Sequence, residues 1–467
     1  MTTALYFVLL YMLLQLGIGV WISRRIRSEA DYLIAGRSLG YTLATFSIFA
    51  TWFGAETVVG SAGNAYRDGV SLGSAEPFGY GLCLILMGVI FAIPLWRRRL
   101  TTLADLFRSR YSVTVERVAA IILVPSSILW AAAQVRAFGQ IISTASAGWN
   151  VDLAIGIAAV FTIAYTMFGG LLVDAITDVI QGLLVMIGLT GLFVLVVLKA
   201  GGLAAFGGAL EQSPGINWLP QGEMSALAIA EEWAIPIMGS VVATELVGRI
   251  IATRTPQVAR NSSLLAGGLY LMVGLLPLLI GLAATGLGVH IADAEQVVPM
   301  MAREMLPTIA YAAFVGAIIS AILSTVDSTL LTAAGLLSHN LIVPMARVTS
   351  ERTKVLIARA GVLLFGVMAY TLALTAEGVY ALVEQASALG SSGALVVICF
   401  GLFTSFGGAR AALTALLAGT LAYLAFAAAG TTAPFLFSLA CALVSYLLIG
   451  AVETRHVAQR SVQSAAS

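Results

Sequence analysis

Long apolar segments follow one another along almost the whole chain and leave no stretch from which a sizeable water-soluble domain could be built. A helix needs about 20 apolar residues to cross the hydrocarbon core of a bilayer. About thirteen segments reach that length: 3–22, 40–64, 75–96, 117–145, 152–170, 175–198, 229–251, 261–288, 308–337, 354–374, 379–403, 409–428 and 432–452. We therefore predict an all-α integral membrane protein with about 13 transmembrane helices in a lipid bilayer.

The composition agrees with this prediction. Hydrophobic residues make up 60% of the 467 residues and charged residues only 10%, and a soluble domain this apolar could not cover its surface with polar groups. A formal net charge of +1 gives no sign of a nucleic-acid partner. We find no P-loop, so we do not expect the protein to use ATP. We find no nucleophile–base pair or metal-binding spacing either, so we do not expect an enzyme. Nothing in the sequence indicates an obligate protein partner.

Basic residues mark one side of the membrane. Arginine and lysine are enriched in cytoplasmic loops, and here they follow odd-numbered segments. They are Arg24, Arg25, Arg27, Arg37, Arg97, Arg98, Arg99, Arg108, Arg110, Arg249, Arg254, Arg260, Arg347, Arg352, Lys354, Arg455 and Arg460. The opposite loops carry the acids Asp68, Glu76, Glu211, Glu223, Asp293 and Glu295. We expect a multi-pass protein of the cell inner (plasma) membrane, with its N-terminus outside and its C-terminus in the cytoplasm.

The ninth segment carries a cluster of hydroxyl groups around one carboxylate. On a helix, Ser324, Asp327 and Ser328 share one face because they are spaced i, i+3 and i+4, and Ser320 extends that face by one turn. Such a set of oxygen ligands suits a small, hard cation. A carboxylate at membrane depth is costly, so this face indicates a functional site.

The second segment contains the run Ala50-Thr51-Trp52-Phe53-Gly54-Ala55-Glu56-Thr57. Gly54 and Glu56 at mid-depth favour a helix that breaks there and exposes backbone groups as ligands. The alternative is a continuous but kinked helix in which the glycines allow close packing.

Three further segments carry polar groups that must face protein or water. The fourth segment holds Trp130, Gln134 and Arg136. Arg136 either pairs with an acid or extends to the membrane interface.

In the sixth segment, Asp178 is either a helix cap or a cation ligand. In the seventh, Glu245 and Arg249 are spaced i, i+4, which favours a structural ion pair.

Three motifs resemble those of the sodium/solute symporter family. Residues 31–40 resemble its D-Y-F-L-A-G-R-S-L stretch, and residues 169–181 are similar to its G-G-x-x-A-V-x-x-T-D-x-x-Q stretch. Residues 320–328 are similar to its S-A-x-x-S-[ST]-x-x-S signature. The three motifs occur in the family's order and on the corresponding segments, so the chain is identified as a member of this family.

The resemblance implies a LeuT-type fold with a 5+5 inverted repeat in segments 2–11. The implied divisions are a first helix and cytoplasmic loop (1–39), a transport core (40–403) with repeats 40–198 and 229–403, and peripheral helices with a short cytoplasmic tail (404–467). The implied function is secondary active transport, namely sodium-coupled symport of a small organic solute into the cell by alternating access.

The resemblance also implies ligands for one or two coupling sodium ions. The family's coupling site corresponds to the carbonyls of Ala50, Phe53 and Ala321 and the hydroxyls of Ser324 and Thr325. A second sodium site of some relatives corresponds to Asp178, Ser324, Asp327 and Ser328.

Within the family, the second to fourth segments most resemble the choline-transporter branch, in which aromatic rings enclose a quaternary ammonium. The residues expected to bind substrate are Trp52, Glu56, Thr57, Tyr80, Trp130, Gln134 and Glu245. Ala243 stands about where that branch has a tryptophan. The resemblance therefore leaves the substrate open among quaternary amines and other cationic or zwitterionic nutrients.

Two other functions remain as alternatives at this point. A proton-coupled symporter would use Glu56, Asp178 and Asp327 as proton carriers. A transporter-like membrane sensor would normally need a large cytoplasmic domain, and the tail after Glu453 is short.

Overall fold

The computed structural model describes residues 3–24, 26–146, 149–212, 215–217, 224–291, 293–376 and 378–466. Arg25 and Glu223, which contributed to the predicted orientation, lie outside the described residues. The first helices are α1 (Thr3–Ser23), α2 (Glu29–Ile34), α3 (Tyr41–Trp52), α4 (Ala62–Asp68), α5 (Phe78–Leu86), α6 (Ala92–Arg97), α7 (Ala104–Arg110), α8 (Val113–Ser146), α9 (Val151–Lys199) and α10 (Leu203–Glu211). They are followed by α11 (Ala226–Ala234), α12 (Thr244–Ile251), α13 (Pro256–Gly286), α14 (Val297–Met305), α15 (Thr308–Gly335), α16 (Val343–Met345), α17 (Glu351–Thr375), α18 (Val379–Ala388), α19 (Ser391–Phe403), α20 (Ala409–Ala428) and α21 (Pro434–Ala466).

Short stretches of tighter or wider helix join several of these elements. The wide, π-helical stretches are Glu56–Ser61, Met87–Phe91, Ile235–Gly239 and Leu336–Ile342. The tight, 3-10 stretches are Ala35–Arg37, Ser240–Val242 and Ala294–Gln296. The described residues form isolated bridges but no β-strand, which agrees with the predicted all-α class.

Ten helices of the described part are long and apolar enough to cross a membrane, and two bent pairs raise that number to twelve. Helix α9 alone has 49 residues, and its length of about 74 Å is more than twice the hydrocarbon thickness of about 30 Å. Its backbone leaves helical geometry at Gly170, where φ is 68° and ψ is 167°. Gly170 stands at the end of the predicted fifth segment. The membrane fold is confirmed. The count of 13 depends on whether α9 crosses the membrane once or, with a break at Gly170, twice, and it stays a prediction.

Two crossing segments are broken in the middle. The first consists of Tyr41–Trp52 and Glu56–Asp68, inclined at 52°. This is the interruption expected around Gly54, since α3 ends before Phe53, whose ψ is 64°. The second consists of Ala226–Val242 and Thr244–Ile251, inclined at 43°. Its break at Ala243 was not anticipated from the sequence.

Helix α15 is the innermost long helix of the described part. In its most apolar stretch 83% of the residues are buried, compared with 29% in α1. It packs against α3, α8 and α9. Because protein covers it on all these sides, its hydroxyl and carboxyl groups avoid lipid, which offers them no hydrogen-bonding partner.

The last helices form a separate layer beside this centre. Helices α20 and α21 pack against each other and against α19. Helix α19 ends at Phe403 and α20 begins at Ala409, close to the predicted end of the transport core. The division of the chain into core and periphery stays a prediction.

Candidate functional site

Gln134 of α8 bridges the break in the first broken segment. In a continuous helix the Ala55 amide would donate to the Thr51 carbonyl. Here it donates to Gln134 Oε1 at 2.9 Å, and Gln134 Nε2 donates to Glu56 Oε2 at 2.8 Å. The glutamine thus replaces a helical hydrogen bond that the break removes, and the Thr51 carbonyl is free for another partner.

That partner is Thr325 of the central helix. Its hydroxyl lies 2.9 Å from the Thr51 carbonyl and 3.2 Å from the Ala321 carbonyl. The neighbouring Ser324 hydroxyl is 1% exposed and has no hydrogen-bond partner. A buried hydroxyl without a partner is uncommon and fits a site that takes a ligand. The five residues expected to hold the coupling sodium therefore lie on two elements that touch, α15 and the end of α3.

Two residues of the second predicted cation site, Asp178 of α9 and Ser328 of α15, both contact Arg249. Asp178 Oδ2 accepts a hydrogen bond from Ser47 at 2.6 Å. Asp178 Oδ1 and Asp327 Oδ2 are buried and have no partner. No group of three His, Cys, Asp or Glu side chains in the described part of the chain is arranged to hold a metal ion. A cation bound here would therefore also need hydroxyl oxygens such as that of Ser328.

Arg249 of α12 extends into the same region. It is 1% exposed, and its Nη2 lies 2.5 Å from Asp174 Oδ2 and 3.7 Å from Asp178 Oδ2. Its Nε donates to the Ser47 carbonyl at 3.2 Å. The predicted pair of Glu245 and Arg249 side chains is therefore wrong. The guanidinium turns instead to a buried carboxylate, because charged groups that leave water need a close counter-charge.

This inner cluster contains more acidic than basic side chains. Asp174, Asp178 and Asp327 are each at most 1% exposed, and Arg249 forms ion pairs with Asp174 and Asp178. With all three carboxylates ionised, the cluster would carry an excess of negative charge in the buried interior. Such an excess is costly in a protein interior unless a bound cation or proton compensates it.

Three aromatic rings meet beside the first break. The ring centroids of Trp52 and Trp130 are 5.5 Å apart, and those of Tyr80 and Trp130 are 6.0 Å apart. Both indole N–H groups are buried without a partner, while the Tyr80 hydroxyl lies 3.1 Å from Ser387 Oγ. Ala243, at the second break, lines a narrow space with Trp130 and Ser387. The structure thus brings together the three rings expected to form a cage.

Thr57 faces a buried acid, Glu76, which belongs to one of the predicted acidic loops. Its hydroxyl donates to Glu76 Oε1 at 2.9 Å, and the Tyr270 hydroxyl donates to the same oxygen at 2.9 Å. Glu76 is only 5% exposed, and its Oε2 has no partner. The sequence shows that residue 76 is acidic, but it does not indicate that this residue is buried next to a predicted substrate residue.

Glu245 and Arg136 make contacts that the sequence did not specify. Glu245 is buried and accepts a hydrogen bond from the Ser127 hydroxyl of α8. Arg136 donates to the Ala373 carbonyl at 3.0 Å. It thus binds a backbone carbonyl near the end of α17 and not an acid, and its extension to the membrane interface stays a prediction.

A separate apolar cavity of about 780 Å³ lies between α1, α9 and α17. Its wall includes Leu9, Leu13, Leu153 and Val160, of which the last three are more than half exposed on the outside of the bundle. None of the predicted site residues lines it. We regard it as part of the lipid-facing surface.

Two broken segments that bring buried polar groups against a central helix define a secondary transporter, because such breaks expose backbone ligands at mid-membrane. The comparison with known families agrees with this class. The chain belongs to the sodium:solute symporter family, whose model matches residues 32–419. Membership makes it a multi-pass membrane transporter that couples solute movement to sodium, and the expectation that it is not an enzyme is confirmed.

Several curated proteins are similar over most of the chain. High-affinity choline transporter 1 of Caenorhabditis elegans is 26% identical over 416 residues, which are 80% of this chain and 69% of that protein. High affinity choline transporter 1 of Homo sapiens is 28% identical over 407 residues, with coverage of 80% and 68%. The sodium/pantothenate symporter of Escherichia coli is 25% identical over 354 residues, with coverage of 71% and 70%.

A solved structure supports the fold. A Na+-coupled sialic acid symporter in a substrate-bound, outward-open state superposes with a TM-score of 0.83 at 18% sequence identity, and 96% of each chain is covered. At this identity the similarity concerns the fold alone. It confirms the LeuT-type symporter architecture that the motifs predicted.

Proposed function

We propose that this symporter transports a small organic cation with a choline-like ammonium group. The observation that supports this most is the contact of Trp52, Tyr80 and Trp130 beside the first break. Aromatic faces attract ammonium groups, by about 2 kcal/mol or more when water is excluded. Glu56 is fully buried, and its Oε1 has no partner, so it would compensate the positive charge. The choline transporters among the relatives point to the same class of solute.

The coupling sodium is proposed to bind between α3 and α15. Its ligands would be the carbonyls of Ala50, Phe53 and Ala321 and the hydroxyls of Ser324 and Thr325. The unpartnered Ser324 hydroxyl supports this assignment. An ion held there would fix the end of α3, which carries Trp52, against the rest of the cage. Sodium and solute would then strengthen each other's binding by the same factor.

A second sodium is proposed at Asp178, Ser324, Asp327 and Ser328. Three buried aspartates lie near a single arginine, Arg249, and this supports the proposal because a cation would offset the charge of ionised carboxylates. One charge moving through about 100 mV contributes about 2.3 kcal/mol, and a tenfold gradient adds about 1.4 kcal/mol. The sum of about 3.7 kcal/mol per sodium corresponds to a factor of roughly 500 in solute accumulation, so a second ion would multiply the attainable ratio by about the same factor.

The proposed transport cycle uses the two broken segments. Sodium and solute would enter from the side of the acidic loops, and rocking of repeat 40–198 against repeat 229–403 would open the opposite side. Residues 1–39 and 404–467 would flank this core. The proposed orientation in the plasma membrane has the N-terminus outside and the C-terminus inside.

Glu56 also favours a second candidate function, symport with protons. A fully buried carboxyl group with an unpartnered oxygen can carry a proton through the membrane interior. Solute uptake that a proton gradient drives in sodium-free medium would identify this coupling.

The experiment is uptake of radiolabelled choline into proteoliposomes under an inward sodium gradient, compared with an equal potassium gradient. We expect sodium-dependent uptake that is lost in Trp130→Leu. The matched control is Trp21→Leu, which changes a tryptophan of α1 that is 64% exposed on the outside of the bundle. Sodium-dependent uptake of pantothenate but not of choline would contradict the proposed substrate and leave the symport intact.

A further inference from the structure

The apolar cavity between α1, α9 and α17 is a groove on the lipid-facing surface. Helices α1 and α17 each pack against α9, so α9 forms the floor of the groove and the other two helices form its sides. The wall includes Leu9 and Leu16 of α1, Val367 and Tyr370 of α17, and residues of α9 between Asp152 and Ala164. Water does not reach a surface in the hydrocarbon region of a bilayer. The groove, with its volume of about 780 Å³, is therefore filled by apolar groups from the membrane.

The groove extends through about half of the membrane. Its α9 wall begins at Asp152, in the first turn of that helix, and ends at Ala164. About twelve residues of helix rise about 18 Å, and half of the hydrocarbon core measures about 15 Å. A transmembrane helix of a partner would follow the full thickness of the membrane, whereas the chains of one lipid leaflet end where this groove ends. Its length thus favours a lipid as the occupant.

The groove has a polar end at the membrane surface. Asp152 is exposed at the start of α9, and none of the ion pairs in the described part of the chain includes it. An exposed aspartate is negatively charged at neutral pH. Tyr370 lies about one helical turn farther into the membrane, where a Cβ on Gly156 would be 3.6 Å from its hydroxyl oxygen. Tyrosine is typical of the lipid–water boundary, so the carboxylate lies at the depth of a lipid headgroup.

We propose that this groove is a binding site for a phospholipid with a primary ammonium headgroup, of the phosphatidylethanolamine type. One acyl chain lies along α9 between α1 and α17, and the ammonium group donates a charge-assisted hydrogen bond to Asp152. The Tyr370 hydroxyl can donate to a phosphate or ester oxygen of the same lipid. The lipid joins α1, which lies outside the predicted transport core, to α9 and α17. The inference does not depend on the identity of the solute.

A phosphatidylethanolamine that carries a photoactivatable diazirine in one acyl chain tests the position of the lipid. After reconstitution and illumination of the full-length protein, we expect labelled peptides from residues 152–164. Gly156→Leu places a branched side chain in the groove and should reduce this labelling several-fold. The matched control is Gly191→Leu, at an exposed position of the same helix outside the groove, where a Cβ meets nothing within 4 Å. Equal labelling of residues 152–164 in the two variants would overturn the site.

Native mass spectrometry in detergent tests the headgroup, with phosphatidylethanolamine and phosphatidylglycerol of identical acyl chains as probes. We expect the first lipid to bind roughly fivefold more tightly, the ratio that an exposed charge pair of about 1 kcal/mol provides. Asp152→Asn should remove most of this preference, and Glu211→Gln, an exposed acid of α10 outside the groove, should retain it. In lipid-free detergent Asp152→Asn should unfold at the same temperature as the parent protein, because the change affects only the lipid contact.

Two results of the mass spectrometry would overturn the proposed lipid. Equal binding of the two lipids by the parent protein, or a preference that persists in Asp152→Asn, would exclude the ammonium contact. A dimer that is present in the parent protein and lost in Gly156→Leu would identify a second copy of the chain as the occupant of the groove. None of these measurements requires uptake, so they are independent of the proposed transport function.

Discussion

The Thr325 hydroxyl lies 2.9 Å from the Thr51 carbonyl and joins the central helix α15 to the broken end of α3. This contact exists because the Ala55 amide, the usual helical partner of Thr51, donates to Gln134 instead. Side chains of two other helices therefore hold the break open, and it does not depend on glycine alone. The carbonyls exposed at such a break are the ligands that a coupling ion needs.

The first prediction concerns the coupling ion. Ser324→Ala combined with Thr325→Ala removes two hydroxyl ligands and the contact to Thr51, so we expect the sodium concentration for half-maximal uptake to rise at least tenfold. Thr332→Ala, on the same helix with its hydroxyl bonded to the Ser328 carbonyl at 2.7 Å, is the control. Uptake measured over a range of sodium concentrations checks this, and an unchanged sodium dependence would refute the assigned site.

The second prediction concerns Gly54. A Cβ atom at this position would lie 2.6 Å from Glu56 Oε2, 2.8 Å from Thr325 Oγ1 and 2.9 Å from Gln134 Oε1. Gly54→Ala should therefore push apart the side chains that hold the break, and we expect loss of most sodium-dependent uptake.

Gly248→Ala is the matched control for Gly54→Ala, because a Cβ there meets nothing within 4 Å. Uptake rates are compared at equal amounts of reconstituted protein. Near-normal uptake by Gly54→Ala would show that transport does not depend on the present positions of these three oxygen atoms.

The third prediction concerns the inner charge cluster. Arg249→Met leaves the carboxylate of Asp174 buried without its partner, and breaking a buried ion pair in this way costs about 3–5 kcal/mol. We expect a large fall in thermal stability in detergent. The double variant Arg249→Met with Asp174→Val should regain much of it, since both partners are then apolar. Absence of any such rescue would mean that Asp174 is not the main partner of Arg249.

The fourth prediction concerns Asp105, which accepts hydrogen bonds from the amides of Thr101 at 2.7 Å and Thr102 at 3.0 Å and from Asn340 at 2.9 Å. Burial tends to raise the pKa of this carboxyl group, but His339 and the two amides outweigh it, so the pKa lies below its ordinary value. A lowered folded-state pKa means that the stabilisation is present above the unfolded-state pKa and is lost as the pH falls through the folded-state value.

Asp105→Asn should therefore lower stability at neutral pH, by about 1–3 kcal/mol, and the difference from the parent protein should shrink in acid. Thermal unfolding of both proteins at several pH values measures this. Asp152→Asn, at the exposed start of α9, serves as the control and should be close to neutral. A difference for Asp105→Asn that does not vary with pH would contradict the role of the ionised carboxylate.

The first break could be predicted from the sequence, whereas the second could not. Gly54 and Glu56 in an apolar run violate the membrane rules locally, so the sequence itself carries the signal. The second break, at Ala243, is flanked by valine and threonine, and no glycine, proline or charge occupies it. Nearby, a Cβ on Gly239 would come within 2.4 Å of the Ser387 carbonyl. The path of this segment is thus set by close packing against a distant part of the chain.

The partner of Arg249 could not be predicted from the sequence either. The i, i+4 spacing with Glu245 is a local rule, and in the fold a tertiary contact with Asp174 wins because both groups are buried. One sequence signal was available. Asp174 stands where the family motif in residues 169–181 has valine, and a departure of this kind indicates that the chain must compensate a charge elsewhere.

The most direct test of the central claim is thermal unfolding of the purified protein with choline, in sodium and in potassium at equal ionic strength. A ligand at about 100 times its Kd stabilises the folded state by about 2.7 kcal/mol. We expect choline to raise the Tm clearly in sodium and little or not at all in potassium. An equal shift in both salts would contradict sodium coupling, and no shift with choline in sodium would contradict the aromatic cage as its binding site.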